Sequence, residues 1–135
     1  MLFFCPQGVY LPSEDSFLLA RSIKDSDAAG KTAIDVGCAS GIQALNLFFL
    51  GAAKVTCLDL DEKALEAARA NCEKAGFGKK AEYKKSDLFR SFTGTADTIV
   101  FNPPYIETLR SADAKEDSTK FADLDGGRHG REVLD

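Results

Sequence analysis

The residues with the most chemical content are Asn102-Pro103-Pro104-Tyr105, which follow the apolar run Asp97-Thr98-Ile99-Val100-Phe101. Two successive prolines hold the backbone extended and remove two N–H donors, so the local carbonyls stand unopposed. Asn102 adds a side-chain carbonyl beside the backbone carbonyl of Pro103. Two acceptors in a rigid array can hold an –NH2 group by both hydrogens, and Tyr105 offers a flat face to stack on a planar group. A rigid loop without a ligand is the plainer alternative. Three more polar clusters follow apolar runs: Asp35-Val36-Gly37-Cys38-Ala39-Ser40-Gly41, Asp59-Leu60-Asp61 and Ser86-Asp87-Leu88-Phe89. Gly37 and Gly41 permit a tight turn and a close ligand approach, although such a turn also serves plain helix-on-strand packing. Asp59 closes an apolar run about 20 residues beyond that turn, where nucleoside-binding α/β folds place the carboxylate that grips ribose hydroxyls. A helix N-cap is the competing role, and Asp61 suits it better.

The elements that must position these residues alternate along the chain. A helix is expected to start at Ser13, with Glu14 and Asp15 favouring its positive end, and to fade near Lys24. Asp25 to Lys31 is polar and read as a turn. Strands are expected over 32–36, 54–58, 81–85 and 97–101, the third near a sheet edge because of its lysines and the fourth apolar enough to be central. Helices are expected over 42–50, stopped by Gly51, and over 62–75, stopped by Gly76. Strands separated by helices imply right-handed crossovers and a parallel sheet covered by helices on both faces, a Rossmann-like α/β fold. In an open parallel sheet ligands bind beyond the carboxyl ends of the strands, so all four polar clusters would meet at one rim. Residues 107–131 are polar and long for a plain connection, and they read as a mobile lid. At 135 residues the chain reads as a single domain, 1–135.

The sequence resembles the Rossmann-like S-adenosylmethionine methyltransferases that carry an Asn-Pro-Pro-Tyr loop. Within that class it is similar to the HemK-type protein-glutamine methyltransferases, in the short archaeal and eukaryotic branch that acts on translation release factors. The likeness spans nearly the whole chain. The central loop marks the class; the segment from Val9 to Leu19 and the glycine-rich segment from Gly126 to Glu132 narrow it, and Asp87-Leu88-Phe89 is similar to the branch's adenine-side turn. The resemblance implies S-adenosylmethionine as cofactor. Asp59 would take the ribose, Asp87 and Leu88 the adenine edge, and Asp35 with the Gly37–Gly41 turn the methionine part. Tyr10, Pro12 and Glu14 would close the pocket, and Asn102 would lie beside the cofactor. Asn102, Pro103 and Tyr105 would act on the substrate amide, a glutamine side chain, with no strong general base required; His129 is then a lid or structural residue. A small zinc-binding activator subunit is a further implied partner. Two departures stand out. Ala39 replaces a glycine usual in the family, which implies weaker cofactor binding. The family's sheet has seven strands where four are visible, so the chain reads as truncated after Asp135 or completed by another chain.

Composition bounds the alternatives. The net charge of −4 supplies no basic field for phosphate backbones, which disfavours, without excluding, an adenine or guanine amino-methyltransferase acting on nucleic acid. A non-catalytic scaffold keeping the front half of the fold is the other alternative. Four cysteines without a Cys-x-x-Cys pair, and one histidine, argue against a zinc site, so no metal centre is expected. Cys38 and Cys57 sit in apolar segments as small core residues. No apolar run reaches the roughly 20 residues of a membrane span, and the apolar N-terminus lacks the basic flank of a signal peptide. A cytoplasmic location is expected.

Overall fold

A computed structural model describes residues 2–104. The chain divides after Asn102 into two units, and the account below concerns the first. Its elements run in the order α1 (Glu14–Ser22), α2 (Asp25–Ala28), β1 (Thr32–Val36), α3 (Ile42–Phe49), β2 (Lys54–Asp59), α4 (Glu62–Lys74), a 3-10 turn (Gly78–Lys80), β3 (Ala81–Lys85) and β4 (Thr98–Phe101). Each expected strand is present within a residue of its expected bounds. The stretch expected to be a plain turn before β1 instead contains the one-turn helix α2. There Ala28 is fully buried in the main core, an apolar anchor that the polar residues around it conceal.

All strand pairs are parallel, in the order β3-β2-β1-β4. β1 and β2 pair from Thr32↔Lys54 to Val36↔Leu58, and β1 and β4 from Ala33↔Thr98 to Val36↔Phe101. Among the described residues β3 is an edge strand, as its lysines suggest. β4 pairs with β1 alone among the described residues, and its Ile99 is 57% exposed.

Strand alternation sends Ala33, Val55, Cys57 and Val100 to one face, where they pack with Leu45, Leu47, Phe48 and Phe77 and with Leu65, Ala68 and Cys72 of α4. Full burial of a side chain such as Leu47 or Val55 is worth about 1.5–3 kcal/mol. Ile34, Val36 and Leu58 take the opposite face, covered among the described residues by Leu88, Phe92 and Ala96 from the β3–β4 connection. The handedness of crossovers explains the split. The connections β1–α3–β2 and β2–α4–β3 step the same way and share a face; the return from β3 to β4 runs the other way and must cross behind.

Candidate active site at the strand ends

The direction of stepping reverses between β1 and β4, and a parallel sheet opens its ligand crevice beyond the carboxyl ends of the strands at such a point. Val36 pairs with Phe101, so the next residues on the two strands, Gly37 and Asn102, lie side by side at this rim. Gly37 is exposed with φ +63°, and a Cβ there would lie 3.6 Å from the Phe101 ring. Gly41 is a different case. It is buried with φ +83°, and a Cβ would come within 2.9 Å of Ala68 in α4, so its missing side chain is required by helix packing. Ala39, between them, is held at φ +47°. Only one other non-glycine among the described residues has a positive φ: Leu88, at +50°, on the same rim. A side chain in this left-handed region costs roughly 1–2 kcal/mol, and such outliers cluster at ligand sites.

Two carboxylates stand at the ends of β1 and β2. Asp59 Oδ2 accepts the Ala39 amide at 2.9 Å and Oδ1 accepts the Asp61 amide at 3.0 Å, which clamps the glycine turn to the end of β2. With the Leu60 amide also bonded to it, the carboxylate retains a lone pair for a further donor. Burial pushes the Asp59 carboxyl above its ordinary value, against the pull of those amides. Asp61, as its spacing suggested, caps α4 by accepting the Lys63 amide at 2.9 Å. Asp35 is 1% exposed, with Oδ2 accepting the Ala44 amide at 3.0 Å. Burial raises it to about 7, only partly countered by that amide and reinforced by the charge of Asp59.

On the other side of the rim Tyr10 and Asn102, both assigned to the site from sequence, are joined through Asp15, which was not. Asn102 Nδ2 donates to Asp15 Oδ2 at 2.9 Å. Asp15 Oδ1 accepts the Tyr10 hydroxyl at 2.8 Å, the Ser13 hydroxyl at 2.6 Å and the Ser16 amide at 2.7 Å. Partial burial works against ionisation, yet the bonds from Ser13, Asn102, Tyr10 and the Ser16 amide hold Asp15 well below the usual carboxylate range. Burial raises the Tyr10 hydroxyl. Ser13 is the N-cap of α1 in a capping box with Ser16, as expected, and the structure adds Asp15, whose carboxylate accepts both the Ser13 hydroxyl and the first-turn Ser16 amide. Helix charge explained Asp15 in sequence, and nothing in its immediate neighbours pointed across 87 residues to Asn102.

The remaining candidates are placed as follows. Tyr10 is tied to the glycine turn through its carbonyl, which accepts from Ser40 Oγ at 3.5 Å. Pro12 is half-buried and Glu14 exposed. Asp87 pairs with Arg90 at 2.9 Å on the surface, and Leu88 packs against the second core cluster. Pro103 opens the second unit, and Tyr105, the expected lid over 107–131 and His129 lie outside the described residues. Asn71, fully buried on α4, holds both the amide and carbonyl of Phe4 at 2.7 Å and the Ser40 carbonyl at 2.8 Å, fastening the N-terminal segment to the turn. No helix among the described residues is long and apolar enough to cross a membrane.

A parallel sheet with a glycine turn after β1, an acidic residue closing β2 and an Asn-Pro-Pro segment after β4 is a Rossmann-like α/β arrangement. Residues 11–119 match the methyltransferase small domain family, and the chain belongs to that family. A Methanocaldococcus jannaschii protein named "Putative protein N5-glutamine methyltransferase" is 36% identical over 127 residues, 94% of this chain and 61% of its own length. The chain thus spans about 61% of that curated relative. The ribosomal protein L11 methyltransferase of an Exiguobacterium species is 37% identical over 64% of this chain and 28% of its own. Among solved structures, the E. cuniculi Mtq2–Trm112 complex, described as methylating the eRF1 translation termination factor, matches with a TM-score of 0.70 at 26% identity. That match covers 95% of this chain and 65% of the other. The resemblance to glutamine methyltransferases drawn from the sequence agrees with these likenesses.

Proposed function

We propose that this chain carries the cofactor and acceptor sites of an enzyme that methylates a planar amide nitrogen, the glutamine side chain of a translation release factor. One observation carries the reading: Asn102, at the end of β4, has its amide nitrogen committed to Asp15, so its carbonyl oxygen is the atom left to accept from a substrate –NH2.

The donor set suits S-adenosylmethionine. Asp59 can accept ribose hydroxyls while still holding the glycine turn. The exposed Gly37 lets a ligand approach the backbone, and its neighbour Asp35 is a buried carboxyl suited to a positively charged partner. Tyr10 and Pro12 would close the N-terminal side, with Glu14 at its exposed margin, and Asp87 and Leu88 would meet the adenine. When bound, this cofactor supplies a methyl group on a positively charged sulfur, already activated for transfer. The protein's part is to orient the acceptor, a contribution worth roughly 7–11 kcal/mol in well-positioned reactions. Glutamine's amide nitrogen is a weak nucleophile because its lone pair is delocalised. Hydrogen bonds to Asn102 Oδ1 and the Pro103 carbonyl would orient it, push electron density towards nitrogen and stabilise the positive charge that grows there. Tyr105 would stack on the amide plane. A small zinc-binding partner subunit belongs to the proposal, supported by the likeness to the Mtq2–Trm112 complex.

The test is methyl transfer from tritiated S-adenosylmethionine to a termination factor bearing a Gly-Gly-Gln loop, run beside bulk RNA and DNA. Label on the factor is expected, with Asn102→Ala lowering the rate about 100- to 1,000-fold. Label on nucleic acid alone, or an undiminished rate in the variant, would overturn the reading.

A further inference from the structure

Asn and Gln amides are nearly symmetric in shape, and nothing in the Asn-Pro-Pro sequence decides which end of the Asn102 side chain faces a substrate. If the amide turned over, the rim would present a donor where an acceptor is needed. We propose that Asp15 is a positioning residue that fixes the sense of the Asn102 amide, and so makes the rim select an –NH2 acceptor; this rests on the methyl-transfer reading above.

The argument is one of hydrogen-bond polarity. An ionised carboxylate only accepts, so the Asn102 atom 2.9 Å from Asp15 Oδ2 must be Nδ2, and Oδ1 lies on the other side of the amide. Asp15 is itself locked in orientation and charge. Its other oxygen accepts the Ser16 amide at 2.7 Å, a group that can only donate, together with the hydroxyls of Tyr10 and Ser13. These bonds come from the N-terminal segment and the first turn of α1, so the start of α1 sets the polarity of a residue at the far end of the sheet. Asp15 touches no reacting atom in this scheme and acts only through Asn102.

An isosteric change separates this role from a structural one. In Asp15→Asn the Ser16 amide still demands an oxygen, so the new –NH2 takes the place of Oδ2 and faces Asn102. Two donors then oppose each other, and Asn102 turns over to offer its oxygen inward and its nitrogen to the substrate. Asp15→Ala removes the constraint without imposing the reverse. The conservative variant should therefore be the worse enzyme: a drop in kcat of about 100-fold for Asp15→Asn against about tenfold for Asp15→Ala. KM for the cofactor should change little. A residue that merely caps α1 predicts the opposite order. The measurement is made in the full-length protein, with tritiated S-adenosylmethionine and the Gly-Gly-Gln termination factor, beside Asn102→Ala. Asp15→Asn matching or outperforming Asp15→Ala would overturn the proposal. Asn102→Ala at the wild-type rate would instead sink the methyl-transfer reading beneath it. An NMR readout needs neither activity nor the Asp15 variants. The Asn102 side-chain amide, identified by its absence in Asn102→Ala, should exchange its protons about tenfold more slowly than a free amide in the wild type. Free-amide exchange there would overturn the proposal as well.

Discussion

The two walls of the strand-end rim treat their carboxylates in opposite ways. Asp35, fully buried near the end of β1, has one backbone amide donor, and Asp59, half-buried at the end of β2, has only backbone amides; burial pushes both upward, Asp35 to about 7. Asp15, on the N-terminal wall, is less buried and collects four good donors, which hold it well below the usual range. In the first pair desolvation outweighs the donors; under the proposed function these are the carboxylates that meet the cofactor. Asp15 is already spent, and its value lies in its fixed polarity. Carboxylates on one rim thus differ in whether burial or hydrogen bonding decides their ionisation.

The largest effect expected from this contrast is on stability against pH. Asp35 is raised in the fold from an ordinary carboxylate value near 4 to about 7. Between those values the native state keeps the proton and the unfolded chain has lost it. Its contribution is therefore complete below about pH 4 and is lost as pH rises through 7, at about 1.4 kcal/mol per pH unit, roughly 4 kcal/mol in all. Urea unfolding of wild type and Asp35→Asn from pH 4 to 8 isolates this group from others titrating nearby. The variant should gain on the wild type across the window and hold a constant lead above it. Parallel curves would mean that Asp35 is ionised throughout, and the contrast between the walls would collapse.

A smaller effect separates the two glycines of the turn. Gly41→Ala places a Cβ 2.9 Å from Ala68 at a φ of +83°, adding overpacking to left-handed strain, and should cost about 3 kcal/mol in thermal or urea unfolding. Gly37→Ala meets only the Phe101 ring, at 3.6 Å, and should cost about 1–2 kcal/mol, nearly all of it backbone strain. Equal losses would show that the close approach of α4 to the turn is relaxed in solution.

How far the sequence foretold this arrangement depends on how local each cause was. β1 and β3 match their expected bounds because apolar alternation and flanking turn residues specify them locally. Asp61 as the cap of α4 was legible for the same reason. The ends of four strands could be assigned to one rim because parallel topology follows from strand–helix alternation. Illegible were contacts set by tertiary closure: Ala28 turning into the core from a polar stretch, Asn71 reaching Phe4, and Asp15 reaching Asn102. The part that an irregular segment plays on the second face was illegible for a related reason. Leu88, Phe92 and Ala96 reach Ile34, Val36 and Leu58 from the irregular β3–β4 connection, whose sequence carries no strand or helix periodicity to announce it.

The smallest expected effect concerns Ala39, where the sequence resemblance anticipated a glycine. At φ +47° its Cβ costs roughly 1–2 kcal/mol relative to an unstrained residue. Ala39→Gly would relieve that strain, while its greater freedom in the unfolded chain takes back about 0.4–1 kcal/mol. The net gain in urea unfolding should lie between about 0 and 1.6 kcal/mol, with the Ala39 amide anchored to Asp59 Oδ2 in either case. A clear loss of stability would mean that the backbone at this position is less left-handed in solution. A gain well above the predicted range would mean that the strain spreads through the Asp59 clamp. The buried wall would then be stressed rather than merely short of donors, and the contrast with Asp15 would need a mechanical term as well as an electrostatic one.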